Sequence, residues 1–421
     1  MVIMLQSNLR SKQITKCVPL LSIIIMDHTP SEPQEGCQVS DGVSVEDIAD
    51  IEEINALTEL GTTLIQAILE KEPIANIQEL IDAGAPLWFQ DNDGVSPLHA
   101  AAYVANENLI KIFLDDGAVW NAVDNLGNTA GDIALSMNNE SCYKLIRDAG
   151  IRSELLLAIL SSRSGLEHSS STLIISDDDT TAVGSTDAFL ASSLEFTVDE
   201  YDQEICLLKP EDDSKVGVMM SWEREIMSRT VDELCSDHPR LEEGLRVLNI
   251  GFGLGIIDSC LQRVTKIPSL HVIIEAHPDV LVQMKKQGWY QQPGVKIMEG
   301  KWQDVVQRKE FLDLGAFDVI YTDTFAENYQ ELCKFFRLLP DLMVGPDARF
   351  SFFNGLGATN ALFYDVYSRV AECHLSDIGV HVSWNDVWVG GEEDQERWGE
   401  SRKYFTQPLY RLPVAQLKST V

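Results

Sequence analysis

Three glycines, Gly251, Gly253 and Gly255, stand between a strand-like run at 245–250 and a helical one at 256–264. Bare backbone lets a ligand approach closely, and the start of the following helix offers unpaired amide donors. A second strand-like run, 270–275, ends in Glu275, 24 positions after Gly251. That is about the distance at which a βαβ unit presents a carboxylate to a ribose. The spacing is G-x-G-x-G, whereas a pyrophosphate is usually seated by G-x-G-x-x-G. A ligand with a ribose and no phosphate, such as S-adenosylmethionine, suits it better. An ordinary tight turn in an α/β sheet is the plainer alternative.

Other candidates belong at the same end of the sheet, where open α/β folds bind ligands. Ala276 and His277 follow Glu275 directly. Trp302 and Gln303 follow a third strand-like run at 295–298, and an indole and an amide there could hold adenine; Trp302 reads equally well as core. Asp323 follows the run 317–321 and should face the cleft, unless it caps a helix. Upstream, residues 218–227 read as a helix that places Met219, Trp222, Glu223 and Met227 on one face. A Met/Trp stripe is core material. A carboxylate on that face is not, because a buried charge needs a cation or hydrogen bonds.

Alternating strands and helices position these groups. Beyond the runs already named, a strand is expected at 349–353 and helices at 278–287, 327–338 and 360–373. The pattern argues for a parallel sheet covered on both faces. Two further strands, 380–389 and 403–412, joined by an acidic loop at 390–400, finish it as an antiparallel hairpin, the Rossmann-like methyltransferase layout. Ahead of this domain, Gly84, Gly117 and Gly150 close similar segments at intervals of 33 residues, the ankyrin period. Ser96-Pro97-Leu98-His99-Ala100-Ala101 resembles an ankyrin helix start, which makes His99 structural. Two repeats with partial caps bind partners or dock against the catalytic domain. The expected organisation is a poorly ordered segment 1–57, ankyrin repeats 58–155, a Ser/Thr/Asp-rich linker 156–187 and a methyltransferase domain 188–421. A fragment starting near Asp187 is then expected to keep the cofactor site.

The chain carries 66 acidic against 32 basic residues, a net charge of −34. Such a field disfavours nucleic acid and anionic membrane as direct partners and favours basic proteins or guanidinium substrates. Eight cysteines without a C-x-x-C pair suggest neither a disulfide framework nor a zinc site. A reducing compartment, cytoplasmic or nuclear, follows. Residues 1–26 mimic a signal peptide, but Pro19 interrupts the apolar stretch and Met26 reads as a natural start.

The run M-x-x-W-E-x-x-x-M from Met219 to Met227 resembles guanidinoacetate methyltransferase. So do the V-L-x-x-G-F-G strand, the strand ending I-I-E, G-x-W-x-D at 300–304 and Y-x-D-T at 321–324. Joined to ankyrin repeats, the chain resembles the fungal protein arginine N-methyltransferase 2 family. The resemblance covers about residues 190–415. It implies S-adenosylmethionine contacted by Met227, Phe252, Gly253, Leu254, Gly255, Ile256, Ile257, Glu275, Ala276, His277, Trp302, Gln303 and Asp323, with Phe196 bordering the cofactor by position. It further implies monomethylation of the internal δ-nitrogen of arginine in a large-subunit ribosomal protein. Carboxylates hold a guanidinium by paired, charge-assisted hydrogen bonds, so Glu223 and Asp323 are assigned to clamp it. No metal is expected, because a sulfonium is already an activated donor. A small-molecule guanidine methyltransferase and a non-catalytic ankyrin adaptor are the rivals. Asn249 departs from the pattern, which often has an acid two residues before the first glycine, and this loosens the expected support of the methionine moiety.

Overall fold

The computed structural model describes residues 45–164, 182, 184–198, 204–208, 216–390 and 403–418. Expectations for residues 1–44, for most of the Ser/Thr/Asp-rich segment and for nearly all of the acidic loop lie outside them.

Helices come first: α1 (Val45–Leu69), α2 (Ile74–Asp82), α3 (Pro97–Tyr103), α4 (Glu107–Asp115), α5 (Ala130–Ser136) and α6 (Glu140–Ser164). Thus α1 begins inside the segment expected to be poorly ordered, and α6 runs into the expected linker. The 33-residue period has a direct physical basis. Asp91 accepts hydrogen bonds from the amides of Asp93 and Val95, and Asp124 repeats this with Leu126 and Asn128. These turns stack through Gln90 Nε2 to the Val123 carbonyl (2.8 Å) and Asn125 Nδ2 to the Asn92 carbonyl (2.8 Å). His99 completes a capping box with Ser96 and reaches the Asn128 carbonyl of the next repeat at 3.1 Å, the structural role its motif implied.

A short helix, α7 (Thr186–Ala191), leads to a three-stranded antiparallel sheet of β1 (Leu194–Val198), β2 (Glu204–Leu208) and β3 (Val216–Met220). The helix expected across 218–227 is therefore corrected. Met219 and Met220 pair with β2 as part of β3, a 3₁₀ turn covers Ser221–Glu223, and α8 occupies only Arg224–Cys235. β-branched residues favour a strand, and a half-buried strand competes with helix periodicity over so short a run.

The main sheet follows with β4 (Arg246–Ile250), α9 (Ile256–Leu261), β5 (Leu270–Glu275), α10 (Pro278–Lys286), β6 (Val295–Glu299), α11 (Trp302–Val305), α12 (Lys309–Leu312), β7 (Val319–Thr322), α13 (Tyr329–Phe336), α14 (Leu339–Leu342), β8 (Arg349–Phe352), α15 (Ala361–Asp377), β9 (Val380–Trp388) and β10 (Leu409–Leu417). Its order is β6-β5-β4-β7-β8-β10-β9, parallel from β6 to β8 and antiparallel at β10 and β9. The chain reverses direction across the sheet between β4 and β7, which makes their carboxyl ends the switch point. The last strand differs from the expected 403–412. Leu409 pairs with Trp388 and Leu417 with Val380, so residues 403–407 precede the strand, and Lys403 and Tyr404 reach the site.

The repeats pack on the sheet domain through α15. A Cβ on Gly131 would lie 2.8 Å from the Leu362 methyls, and Trp120 meets Phe363 edge to face at 5.9 Å. Tyr143 donates to Asp365 (3.0 Å), Asn360 to Asp132 (2.6 Å) and Tyr367 to Glu154 (3.3 Å). From Ala56 onward the chain forms one compact unit, with a hydrophobic core running from Leu64 to Ala415.

Candidate active site

At the switch point, the amide of Asp323 donates to the Ile250 carbonyl at 2.9 Å, drawing the ends of β4 and β7 together. Gly251 (φ +87°) sits so close that a Cβ there would lie 1.9 Å from the Asp323 carbonyl oxygen. Only glycine permits this closure. Gly255 (φ +70°) abuts the Phe252 ring, 2.3 Å from where its Cβ would stand. The bared loop forms one wall of a cavity of about 500 Å³, lined also by Glu223, Glu275, Asp323 and Glu327.

Glu275 is buried, and its carboxylate accepts the amides of Phe252 (2.8 Å), Ala276 (2.8 Å) and His277 (2.6 Å). Burial raises its pKa and these backbone donors oppose the rise. His277 Nδ1 accepts the Asp279 amide (3.1 Å), so Nε2 carries the proton and donates to the Phe189 carbonyl (3.1 Å). Phe189 tilts against His277 and Phe325, each at 4.8 Å, and α7 thereby forms part of the cavity wall.

Glu223 ends the turn after β3, is 3% exposed, and accepts the Met220 amide (3.2 Å) and the Tyr404 hydroxyl at Oε1. Asp323 faces the cavity, and among the described residues no side chain donates to its carboxylate. Desolvation pushes it up to about 7.

Of the residues singled out in the sequence, Glu223, Gly251, Gly253, Glu275, Ala276, His277, Trp302 and Asp323 line the cavity. Phe196, Met227, Phe252, Leu254, Gly255, Ile256, Ile257 and Gln303 stand behind them. Met227 is fully buried, with its sulfur accepting the Tyr321 hydroxyl at 3.3 Å. Phe196 packs beside Phe252 and Trp289. The polar edges of Trp302 and Gln303 are engaged within the protein: the indole N–H donates to Glu327 (2.9 Å), and Gln303 Nε2 donates to Glu327 (2.9 Å) and Glu331 (2.8 Å). The indole face remains as wall. Asn249 is corrected. Its amide holds the Gly251 carbonyl and both oxygens of Asp258, all at 2.9 Å, so the acid supporting the loop comes from α9 instead of β4.

Sequence reasoning missed Glu327, which also takes the Thr324 hydroxyl at 2.7 Å, and Tyr404, which arrives from beyond the described β9. The acid four residues after Asp323 was a signal for the first. For Tyr404 no local signal existed.

Comparison with known proteins matches residues 64–155 to ankyrin repeats in three copies and residues 200–336 to guanidinoacetate N-methyltransferase. Protein arginine N-methyltransferase 2 of Cryptococcus neoformans is 40% identical over 380 residues, covering 86% of this chain and 97% of the relative. The chain belongs to the protein arginine N-methyltransferase 2 family. The relative of the same name from Candida glabrata is 33% identical over 86% of this chain and 99% of its own length. That from Saccharomyces cerevisiae is 35% identical over 73% and 76%.

Family membership makes the chain a methyltransferase and implies S-adenosylmethionine as cofactor. The residues present fit that molecule. A sulfonium suits a cavity carrying four carboxylates, a ribose diol suits Glu275, and a purine suits the walls of Phe189, Phe325 and Trp302. Gly251 and Gly253 present bare backbone to the cavity.

Proposed function

We propose that this chain places a single methyl group on the internal δ-nitrogen of an arginine in a protein substrate, a large-subunit ribosomal protein, in the cytoplasm and nucleus. The observation that carries the reading is that Glu223 and Asp323 line one cavity with the glycine turn. A guanidinium is protonated at neutral pH and its nitrogen lone pairs are delocalised. Carboxylates can hold it by charge-assisted hydrogen bonds. Glu223, held by a backbone amide and a phenol, orients the cation. Asp323, pushed up to about 7, is matched to taking up a proton near neutrality. When bound, S-adenosylmethionine supplies the methyl group on a positively charged sulfur. Gly251, Gly253, Glu275, Ala276, His277 and Trp302 hold it, and Phe196, Met227, Phe252, Leu254, Gly255, Ile256, Ile257 and Gln303 support the wall.

The names of the relatives speak for arginine in a protein, and the net charge of −34 favours a basic partner. The match to guanidinoacetate N-methyltransferase favours, as a second reading, a free guanidine substrate. A repeat module of the kind that binds proteins argues against it. Fragmentation of the methylated product by mass spectrometry decides: δ-monomethylarginine is expected. Dimethylarginine as the main product, or methylated guanidinoacetate alone, would overturn the proposal.

Glu275→Ala is expected to weaken S-adenosylmethionine binding by roughly 1.5–3 kcal/mol, the worth of hydrogen bonds to a charged group. The loss has two sources, the acceptor for a ribose diol and the anchor for the amides of Phe252, Ala276 and His277. Unchanged affinity in calorimetry, with the fold intact, removes Glu275 from the cofactor site.

A further inference from the structure

Tyr404 belongs to no motif of the catalytic domain, yet it lines the cavity and its hydroxyl donates to Glu223 Oε1, the oxygen that also takes the Met220 amide. We infer that Tyr404 is a positioning residue of the transfer reaction, fixing the orientation and ionised state of Glu223 while making no cofactor contact of its own. The inference rests on the guanidinium-clamp reading of Glu223.

The ring is seated independently of its hydroxyl. It lies 5.8 Å from the Trp222 ring and packs with the cluster of Ile205, Leu207 and Met220. A Cβ on Gly217 would stand 3.7 Å from its edge, so β3 lies directly alongside it. The need for a donor is electrostatic. Glu223 and Asp323 line one cavity, where two like charges disfavour each other's ionised forms. A donated hydrogen bond favours the ionised form of its acceptor, so the phenol selects Glu223 as the resident anion and leaves Asp323 to titrate. Other titratable groups near Glu223 are the phenols of Tyr321 and Tyr410, both with pKa values raised by burial first and then by neighbours that include Glu223. Lys403 lies on the cavity wall beside Tyr404.

The test is Tyr404→Phe in the full chain. Cofactor affinity should stay within about twofold of the parent. The initial rate of methyl incorporation into a ribosomal fraction from cells lacking the enzyme should fall by about tenfold, or 1.4 kcal/mol. A second acidic limb, below the one set by Asp323, should move to higher pH, because Glu223 has lost a donor that stabilised its anion. Adding Tyr404→Phe to Glu223→Gln should cost little more than Glu223→Gln alone, since the two act as one unit. An unmoved rate and pH profile beside an inactive Glu223→Gln would overturn the role of Tyr404 alone. A fully active Glu223→Gln would overturn the clamp reading beneath it. Equal losses from Tyr404→Phe in both backgrounds would show a merely structural ring.

Discussion

Glu223→Gln and Asp323→Asn are each expected to lower methyl transfer to arginine on the order of 10²-fold, about 2.7 kcal/mol of barrier, the scale of removing one preorganised electrostatic group. Each change keeps the shape and removes the charge that orients a cation. Glu223→Gln should leave cofactor affinity intact, because the side chain is held from the β3 side by Met220 and Tyr404. Asp323→Asn should weaken it, because Asp323 adjoins the glycine turn. The two variants also separate in pH. The Asp323 carboxyl is raised to about 7 in the folded chain, above its ordinary value near 4. Its contribution to the stability of the unliganded fold is therefore complete below about 4 and is lost as pH rises through about 7. Cation binding has the opposite sense, favouring the ionised form, so the parent rate should climb across the same interval. Asp323→Asn should flatten both profiles. A parent profile level from pH 5.5 to 8.5 would contradict the assignment of Asp323 as the titrating group.

The sheet and the glycine turn were legible because their signals are local. A buried parallel strand is a short apolar run, and its carboxyl end is marked by glycine or an acid, as at Gly251, Glu275 and Asp323. The repeats were legible because a period of 33 residues survives variation at any one position. The region 218–227 was misread because the end of a strand followed by a turn imitates helical spacing; only the partner strand Glu204–Leu208 decides between them. The partners of Asn249, Trp302 and Gln303 were not legible for a related reason. Each side chain meets a carboxylate, Asp258 or Glu327, brought from another element. Tyr404 is the extreme case, since its partner lies 181 residues earlier in the chain. Residue types can be read along a sequence. Which polar groups satisfy one another is a property of the packed fold.

A fragment of residues 185–421 is expected not to fold on its own, against what the order of the motifs alone suggests. All five motifs lie within it, but α15 would lose its cover. Leu362 and Tyr367 are almost fully buried and Phe363 packs on Trp120; the first two lie in the core that also holds the repeats. Exposing a large apolar side chain costs about 1.5–3 kcal/mol, so three of them approach the whole ~5–15 kcal/mol that keeps a typical domain folded. Asp365 adds to this, since it would lose Tyr143 and Arg147 and keep Arg411 and Arg369. The intact chain should consequently melt in one calorimetric transition with no separate one for the repeats. A gentler probe is Gly131→Val. Its first added carbon alone meets the Leu362 methyls at 2.8 Å, which should cost about 1–3 kcal/mol of overpacking and lower Tm by several degrees. If the repeats serve only as a loosely tethered recognition module, the 185–421 fragment will bind S-adenosylmethionine with parent affinity and Gly131→Val will leave the melting of the sheet domain unchanged. Either result would return the repeats to a separate role. Loss of both would make the ankyrin array part of the scaffold that holds α15 and, through Arg411, Tyr410 and Asn354, the neighbouring cavity wall at Phe353 and Gly355.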